Sequence, residues 1–383
     1  MDVTIAEKNG NLRKHMLSMS DPKSWEKTIA LTGESLKEFE NAPFLKGTKQ
    51  VFIIGQGTSY ATSLLIETFF EHIADIRASA YPAFHFAAYA GDYIKAPEET
   101  LVIGVSCSGN TASVSAGLRE AKEQGAKTLA ISNEGDIDNA KFAEYRIKTD
   151  ALLERAAQVT AYSVSHLFIA LAGYELAVLM GSRNGALDAG NVRYWKDQFT
   201  AAQSAMSVLP ALFDRMKEIS AEFSQSRNAC VLGTGPNFGT MKEGALKISE
   251  FTWLFCAGEE LEDFAHGRFR ESDGTLPLLI IAPEGPSVAK TMDLLAACVI
   301  SGTPSIVFTD VPTPALRKMA THTVEMPKLE NEYLTPFLYI FPLWFYGWHI
   351  RNNAGYAVAE KRHGLAARDI NFKLHFDEEG NRK

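Results

Sequence analysis

At 383 residues the chain exceeds one ordinary domain, so two domains are the expectation. Its 46% hydrophobic and 22% charged residues are those of a globular protein, and a net charge of −8 argues against a nucleic-acid partner. Four scattered cysteines, Cys107, Cys230, Cys256 and Cys298, form no C-x-x-C pair, which argues against zinc or disulfides and for a reducing cytoplasm.

Residues 1–40 carry no apolar targeting segment and read as a helical preface. Asp21 is placed to cap the stretch "DPKSWEKTIALTGESLKEFENA", with Pro22 in its first turn. Residues 41–205 then alternate strand and helix. "QVFIIG", "RASAYP", "LVIGVS", "KTLAISN" and "YRIKT" read as strands. "TSYATSLLIETFFEHI", "NTASVSAGLREAKEQG" and "TAYSVSHLFIALAGYELAVLMG" read as helices, the second stopping at Gly125.

Residues 206–355 repeat the plan. "ACVLGTG" matches "VFIIGQG", with Gly233 falling 178 residues after Gly55. "TLPLLIIAPEG" matches "TLVIGVSCSG", and "PSIVFTD" matches "KTLAISN". The repeat predicts an α/β chain of two similar domains, each a parallel sheet flanked by helices. The apolar run from Tyr333 to Ile350 is shorter than the ~20 residues of a membrane span, and Pro336 and Pro342 interrupt it. It is expected to be a buried helix, and its aromatic load also suits a subunit interface. Residues 356–383 form a polar tail that either covers another part of the molecule or frays.

Two turns of the first half are rich in hydroxyls. Thr58 and Ser59 follow the first strand; Ser106, Cys107, Ser108 and Thr111 follow the third. Both lie at carboxyl ends of parallel strands and open helices, where ligands bind and free N–H groups attract anions. One such turn alone would be an ordinary helix cap; two on one sheet point to a phosphate. Neither is a P-loop nor a G-x-G-x-x-G fingerprint. The second half has Pro236-Asn237 and Pro283-Glu284 at the matching places, which do not suit an anion.

The second constellation is "EGALKISE". Glu243, Lys247 and Glu250 recur at i, i+4 and i+7, on one helix face, where a solvated ion-pair face is the ordinary reading. His266-Gly267 follows sixteen residues after Glu250, amid Glu259, Glu260, Glu262 and Asp263.

"GQGTSY", "VSCSGNT", "EGALKISE" and "HG", in this order, resemble the double SIS (sugar isomerase) domain. Groups that share these motifs are the isomerase half of glutamine–fructose-6-phosphate amidotransferase and the ketosamine-6-phosphate deglycases. The resemblance runs from about Gln50 to the tail. It implies two flavodoxin-like or Rossmann-like domains. It implies a sugar phosphate held by Gly57, Thr58, Ser59, Ser106, Cys107, Ser108 and Thr111, and Glu250 as the base at C1/C2. His266 would act on the ring oxygen or leaving group, reaching the site from a neighbouring subunit of a homodimer or higher homo-oligomer. Glu243 and Lys247 would support the base. No cofactor, metal or membrane enters this chemistry.

Two departures bear on the substrate. Arg268 replaces the proline expected after His266-Gly267, and the segment around Glu154 to Ser165 matches the family poorly. Arg268 or Arg270 would pair either with the carboxylate of an amino-acid moiety or with the local acidic cluster. The expected activity is that of a deglycase, converting a fructose-amine 6-phosphate to glucose 6-phosphate and an amine. An aminosugar-phosphate deaminase, an aldose–ketose isomerase and a non-catalytic sugar-phosphate sensor are the alternatives.

Overall fold

The computed structural model describes residues 5–133, 139–150 and 164–355. The N-terminal helices are α1 (Ile5–Ser18), α2 (Glu26–Glu38) and α3 (Phe44–Gly47). The first sheet contains β1 (Gln50–Gly55), β2 (Arg77–Pro82), β3 (Thr100–Ser106), β4 (Lys127–Asn133) and β5 (Tyr145–Thr149). Its helices are α4 (Thr58–His72), α5 (Ala83–Tyr93), α6 (Ala112–Glu123) and α7 (His166–Asn184). Next come α8 (Ala189–Met206) and α9 (Leu212–Glu222). The second sheet contains β6 (Asn228–Gly233), β7 (Phe255–Glu260), β8 (Leu278–Ile281), β9 (Ser305–Thr309) and β10 (His322–Glu325). Around it lie α10 (Phe238–Thr252), α11 (Leu261–His266), α12 (Pro286–Ser301), α13 (Pro314–Met319) and α14 (Pro336–Asn353).

Both sheets are wholly parallel, ordered β2-β1-β3-β4-β5 and β10-β9-β8-β6-β7. Counting strands from the start of each half, these are the same order read from opposite ends. The order reverses direction between β1 and β3, which is where an open parallel sheet leaves a crevice for a ligand. Register brings the two hydroxyl-rich turns to one edge. Ile54 pairs with Gly104, so β1 and β3 deliver Gly57 and Ser106 side by side.

Alternation within the strands builds three cores. Val51 and Ile53 of β1 face inward, together with Val231 of β6 and Ile306 of β9, into one large core between the sheets. Phe52 and Ile54 face outward beneath α5 and α6. Cys230 and Leu232 face outward beneath α11, α12 and α13. The central core also takes α4, α7, α10 and α14. The aromatic load of α14 is spent there: Phe337, Trp344 and Phe345 are fully buried within this one chain. That corrects the subunit-interface expectation for this helix, because its surface is consumed by α9, α10 and α1. No helix among the described residues is long and apolar enough to cross a membrane.

Asp21 does cap, accepting from the Lys23 N–H, but it caps a single tight turn, Pro22–Trp25, before α2 begins. Helix α1 is anchored by Trp348, whose Nε1–H donates to the Asn9 carbonyl at 2.8 Å. His15 of α1 is fully buried, and neither ring nitrogen has a hydrogen-bond partner among the described residues. Burial pushes its imidazole down to about 4. The folded state therefore resists a proton that the unfolded chain accepts below 6.5, so stability falls as pH drops from 6.5 towards 4. Full development of that shift costs about 3 kcal/mol. Replacing His15 with leucine is expected to flatten the acid side of the urea-midpoint profile by that amount. An unchanged slope would place the acid sensitivity elsewhere.

Candidate active site

The first turn runs from β1 into α4. Gly55 is required there, since a Cβ would lie 2.3 Å from the Ser59 carbonyl oxygen. Gly57 adopts φ +58° and ψ −125°, which L side chains avoid, and it starts α4 without a side-chain cap. Thr58 is half-buried and Ser59 buried at the uncapped helix start.

The second turn is tighter. The Gly109 N–H donates to Ser106 Oγ at 3.0 Å, and Ser106 Oγ lies 3.0 Å from Thr111 Oγ1. Ser108 is exposed and its Oγ accepts from the Asn110 N–H; Cys107 is buried. Thr111 precedes α6 without capping it, so that helix also begins with uncapped N–H groups. One residue supports this loop without any signal in the sequence. Asn139 Nδ2 donates to the Thr111 carbonyl at 3.1 Å and to Ser115 Oγ at 2.7 Å. Ser113 Oγ, in the first turn of α6, is buried without a hydrogen-bond partner.

Helix α10 carries Glu243, Lys247 and Glu250 into the space between the domains. It lies close against α4: a Cβ on Gly239 would sit 2.6 Å from the Ala61 carbonyl oxygen. On its other side α14 leaves no room at Gly244, where a Cβ would meet Leu343 at 2.2 Å. Sandwiched in this way, Glu243 and Lys247 are each only 1% exposed. The solvated-face reading of this helix is thus overturned by packing on both flanks.

Lys247 is the junction. Its Nζ donates to Thr58 Oγ1 at 2.6 Å and to Glu250 Oε2 at 2.8 Å, and lies 3.3 Å from Glu243 Oε1. Burial alone would lower the ammonium, but Glu243 and Glu250 more than offset it and hold it above the ordinary lysine range. Burial pushes the Glu243 carboxyl up to about 7, against the pull of Lys247. The Glu250 side chain keeps 30% of its surface open. Just beyond it Trp253 ends α10 in a left-handed conformation, φ +59°, with the Arg351 guanidinium 4.5 Å over its ring. The Glu250 carboxylate therefore has a fixed support and an accessible edge.

His266 is placed differently. It ends α11, is 74% exposed, and its Nε2 lies 3.0 Å from Glu262 Oε1. Helix α11 packs through Leu261 and Phe264 on the outer face of the second sheet, while α10 packs on the inner face. No hydrogen bond or ion pair links His266 to Glu250, Thr58, Ser106 or Thr111 among the described residues. Arg268 pairs with Glu259 at 3.3 Å. Arg270 is exposed. The segment before Val164 and the tail lie outside the described residues.

The matching edge of the second sheet carries opposite charge. The Glu284 N–H donates to Asp310 at 2.7 Å, and Glu284 pairs with Lys328 at 2.7 Å. Burial holds the carboxyls of Asp310 and Glu332 above their ordinary range. These carboxylates disfavour an anion at that edge.

In chemical terms the first domain offers helix N-termini and hydroxyls for a phosphoryl group. A carboxylate from the second domain is tied to the same turn through one lysine. That geometry suits proton transfer on a substrate anchored at its phosphate end.

Known proteins carry the same architecture. Glutamine–fructose-6-phosphate aminotransferase [isomerizing] of Escherichia coli K12 is 26% identical over 319 residues, covering 83% of this chain and 51% of that protein. The chain thus spans about half the length of that curated relative. The C-terminal domain of glucosamine-fructose-6-phosphate aminotransferase from Francisella tularensis superposes with a TM-score of 0.76 at 19% identity, covering 90% of this chain and 98% of that one. Glucosamine-6-phosphate deaminase from Thermotoga maritima superposes with a TM-score of 0.62 at 19% identity, covering 89% and 98%. At these identities the two structures establish the fold alone. The SIS domain matches twice, at residues 44–173 and 222–345, and the chain belongs to the SIS domain family.

Proposed function

We propose that the protein is a phosphosugar enzyme of the deglycase type, acting on a ketosamine 6-phosphate. The observation that carries the reading is the Lys247 bridge, which joins Thr58 of the phosphate turn to the Glu250 carboxylate. Gly57, Thr58, Ser59, Ser106, Cys107, Ser108 and Thr111 grip the phosphate end, and Glu250 faces the other end of the sugar.

In this scheme Glu250 removes a proton from C1 of the open-chain ketosamine. The electron pair forms the C1=C2 bond of an enaminol as the C2 carbonyl takes up a proton. Returning the proton to C2 gives the C1 imine of glucose 6-phosphate. Water adds to C1, the C–N bond breaks, and the amine leaves protonated. A phosphate far from the reacting carbons supplies binding energy that holds C1 in register with the base.

His266 is the group that opens the ring or protonates the leaving nitrogen. It lies on the far face of the second sheet in its own chain, which favours delivery to a partner subunit's site in a homodimer. Arg268 pairs with Glu259 of the local acidic cluster, which leaves the exposed Arg270 as the contact for the carboxylate of an amino-acid moiety.

The test is turnover on a small panel: fructosamine 6-phosphates with plain and carboxylated amines, glucosamine 6-phosphate, and fructose 6-phosphate. Glucose 6-phosphate and free amine released from the ketosamines support the reading. Ammonia and fructose 6-phosphate from glucosamine 6-phosphate alone would replace it with a deaminase. Interconversion of fructose and glucose 6-phosphates alone would replace it with an isomerase. Tight binding without turnover of any of them would leave a sensor.

A further inference from the structure

The buried end of the Lys247 network contains a residue to which the scheme above gives no role. His166 opens α7, is 4% exposed, and places Nδ1 3.8 Å from Glu243 Oε1. Its ring stands edge-on to Trp344, with centroids 5.6 Å apart, which fixes its plane. A small cavity between four helices is bordered by His166, Glu243, Thr62, Thr240, Pro336 and Ile340. Glu243 has no well-formed hydrogen bond among the described residues, although Lys247 is 3.3 Å from Oε1 as an ion pair and the Lys247 and Thr58 side chains both pull on its carboxylate.

The enclosed charges are Glu243 and Lys247; the ammonium is shared with Glu250, which stays 30% open to solvent, so Glu243 has no cation to itself. A buried excess negative charge is costly unless a proton neutralises it. The groups able to carry that proton are few. On its own helix Glu243 faces Lys247 and Glu250; α7 contributes His166; α4 contributes the Thr58 hydroxyl; α14 contributes the apolar Pro336 and Ile340 and, towards the Glu250 end, the Arg351 guanidinium over Trp253.

We propose that His166 and Glu243 are a positioning pair that shares one proton, and that this proton keeps Lys247 on Thr58 and Glu250. With the proton present, Glu243 is neutralised or paired with imidazolium, and the ammonium is free to serve the phosphate turn and the base. With the proton lost, Glu243 competes for Lys247 and draws it away from Thr58. The pair thereby couples pH to phosphate grip and to the orientation of Glu250. The upward push on Glu243 to about 7 agrees with a proton exchanged near neutrality.

The inference rests on the phosphosugar reading of the site, and its test separates the two. Inorganic phosphate binding is measured by calorimetry from mildly acidic to mildly alkaline pH for the full chain, Glu243→Gln and His166→Gln. Phosphate's own ionisation cancels in the ratio of variant to parent affinity. For Glu243→Gln, which mimics the protonated carboxyl, that ratio is expected to rise towards about tenfold per pH unit above neutrality, as one lost proton requires. For His166→Gln the alkaline fall in affinity is expected to begin at lower pH, because one of two proton carriers is gone. The alkaline limb of kcat/KM on the active substrate should move in the same directions.

Parallel profiles for parent and Glu243→Gln overturn the pair, and with turnover intact they leave the catalytic reading standing. Divergent binding profiles with no turnover of any phosphosugar sustain the pair and overturn the catalytic reading alone. Glu243→Gln preserves shape, so misfolding of the position-166 variant does not remove the test.

Discussion

Replacing Glu250 with glutamine is expected to lower kcat on a ketosamine 6-phosphate by about 10²–10⁴-fold, the usual worth of a positioned general base. KM should stay within a few-fold of the parent value. The asymmetry follows from the geometry. Glutamine keeps an oxygen for the Lys247 ammonium, which reaches Glu250 Oε2 at 2.8 Å, so the bridge to Thr58 survives. The hydroxyls and N–H groups of the first domain that are proposed to hold the phosphate are untouched. What disappears is the ability to hold a proton between C1 and C2. Deuterium uptake from heavy water at those carbons offers a second readout, and it should vanish with turnover. A glutamine variant with parental kcat would mean that another group moves the proton. A large rise in KM with kcat preserved would make Glu250 a binding residue instead.

Much of this arrangement is legible in the residues, and the gaps have physical causes. Strands such as β3 and β9 announce themselves as continuous apolar runs because both faces of a parallel sheet are covered. Strands β7 and β10 do not. "FCAGEE" ends in two glutamates on a sheet edge, and "HTVE" is only four residues long. The spacing of Glu243, Lys247 and Glu250 is plain from helix periodicity, yet their burial is not. It depends on α4 and α14 closing on α10, and the decisive contact joins Lys247 to a threonine 189 residues away. Small residues at Gly239 and Gly244 permit that closure, but a glycine in a helix does not reveal what approaches it. His166 is harder still. In an apolar helix a single histidine reads as ordinary core, and only the fold brings Glu243 to within 3.8 Å.

Replacing Lys247 with methionine should have the largest effect on stability, because it leaves Glu243 facing Glu250 without a cation. Removing one partner from a buried ion network costs about 3–5 kcal/mol. The loss should depend on pH, with a sign set by Glu243. Burial already holds its folded carboxyl near 7, against 4.5 unfolded, and loss of the ammonium removes the strongest pull back down. The folded state then prefers the proton more strongly than the unfolded chain does. Its stability is greatest below the unfolded value and declines as pH rises through the raised folded one. Urea midpoints of the methionine variant should therefore fall more steeply than the parent's from acidic to alkaline pH. Adding Glu243→Leu removes the stranded carboxylate and should restore most of the stability, since apolar side chains of similar volume replace buried ion pairs at little cost. It should not restore catalysis, because the cation that ties Thr58 to Glu250 is still missing. Recovery of both stability and kcat in the double variant would show that Lys247 only neutralises its neighbours. Recovery of stability alone assigns it to the link between the phosphate grip and the base.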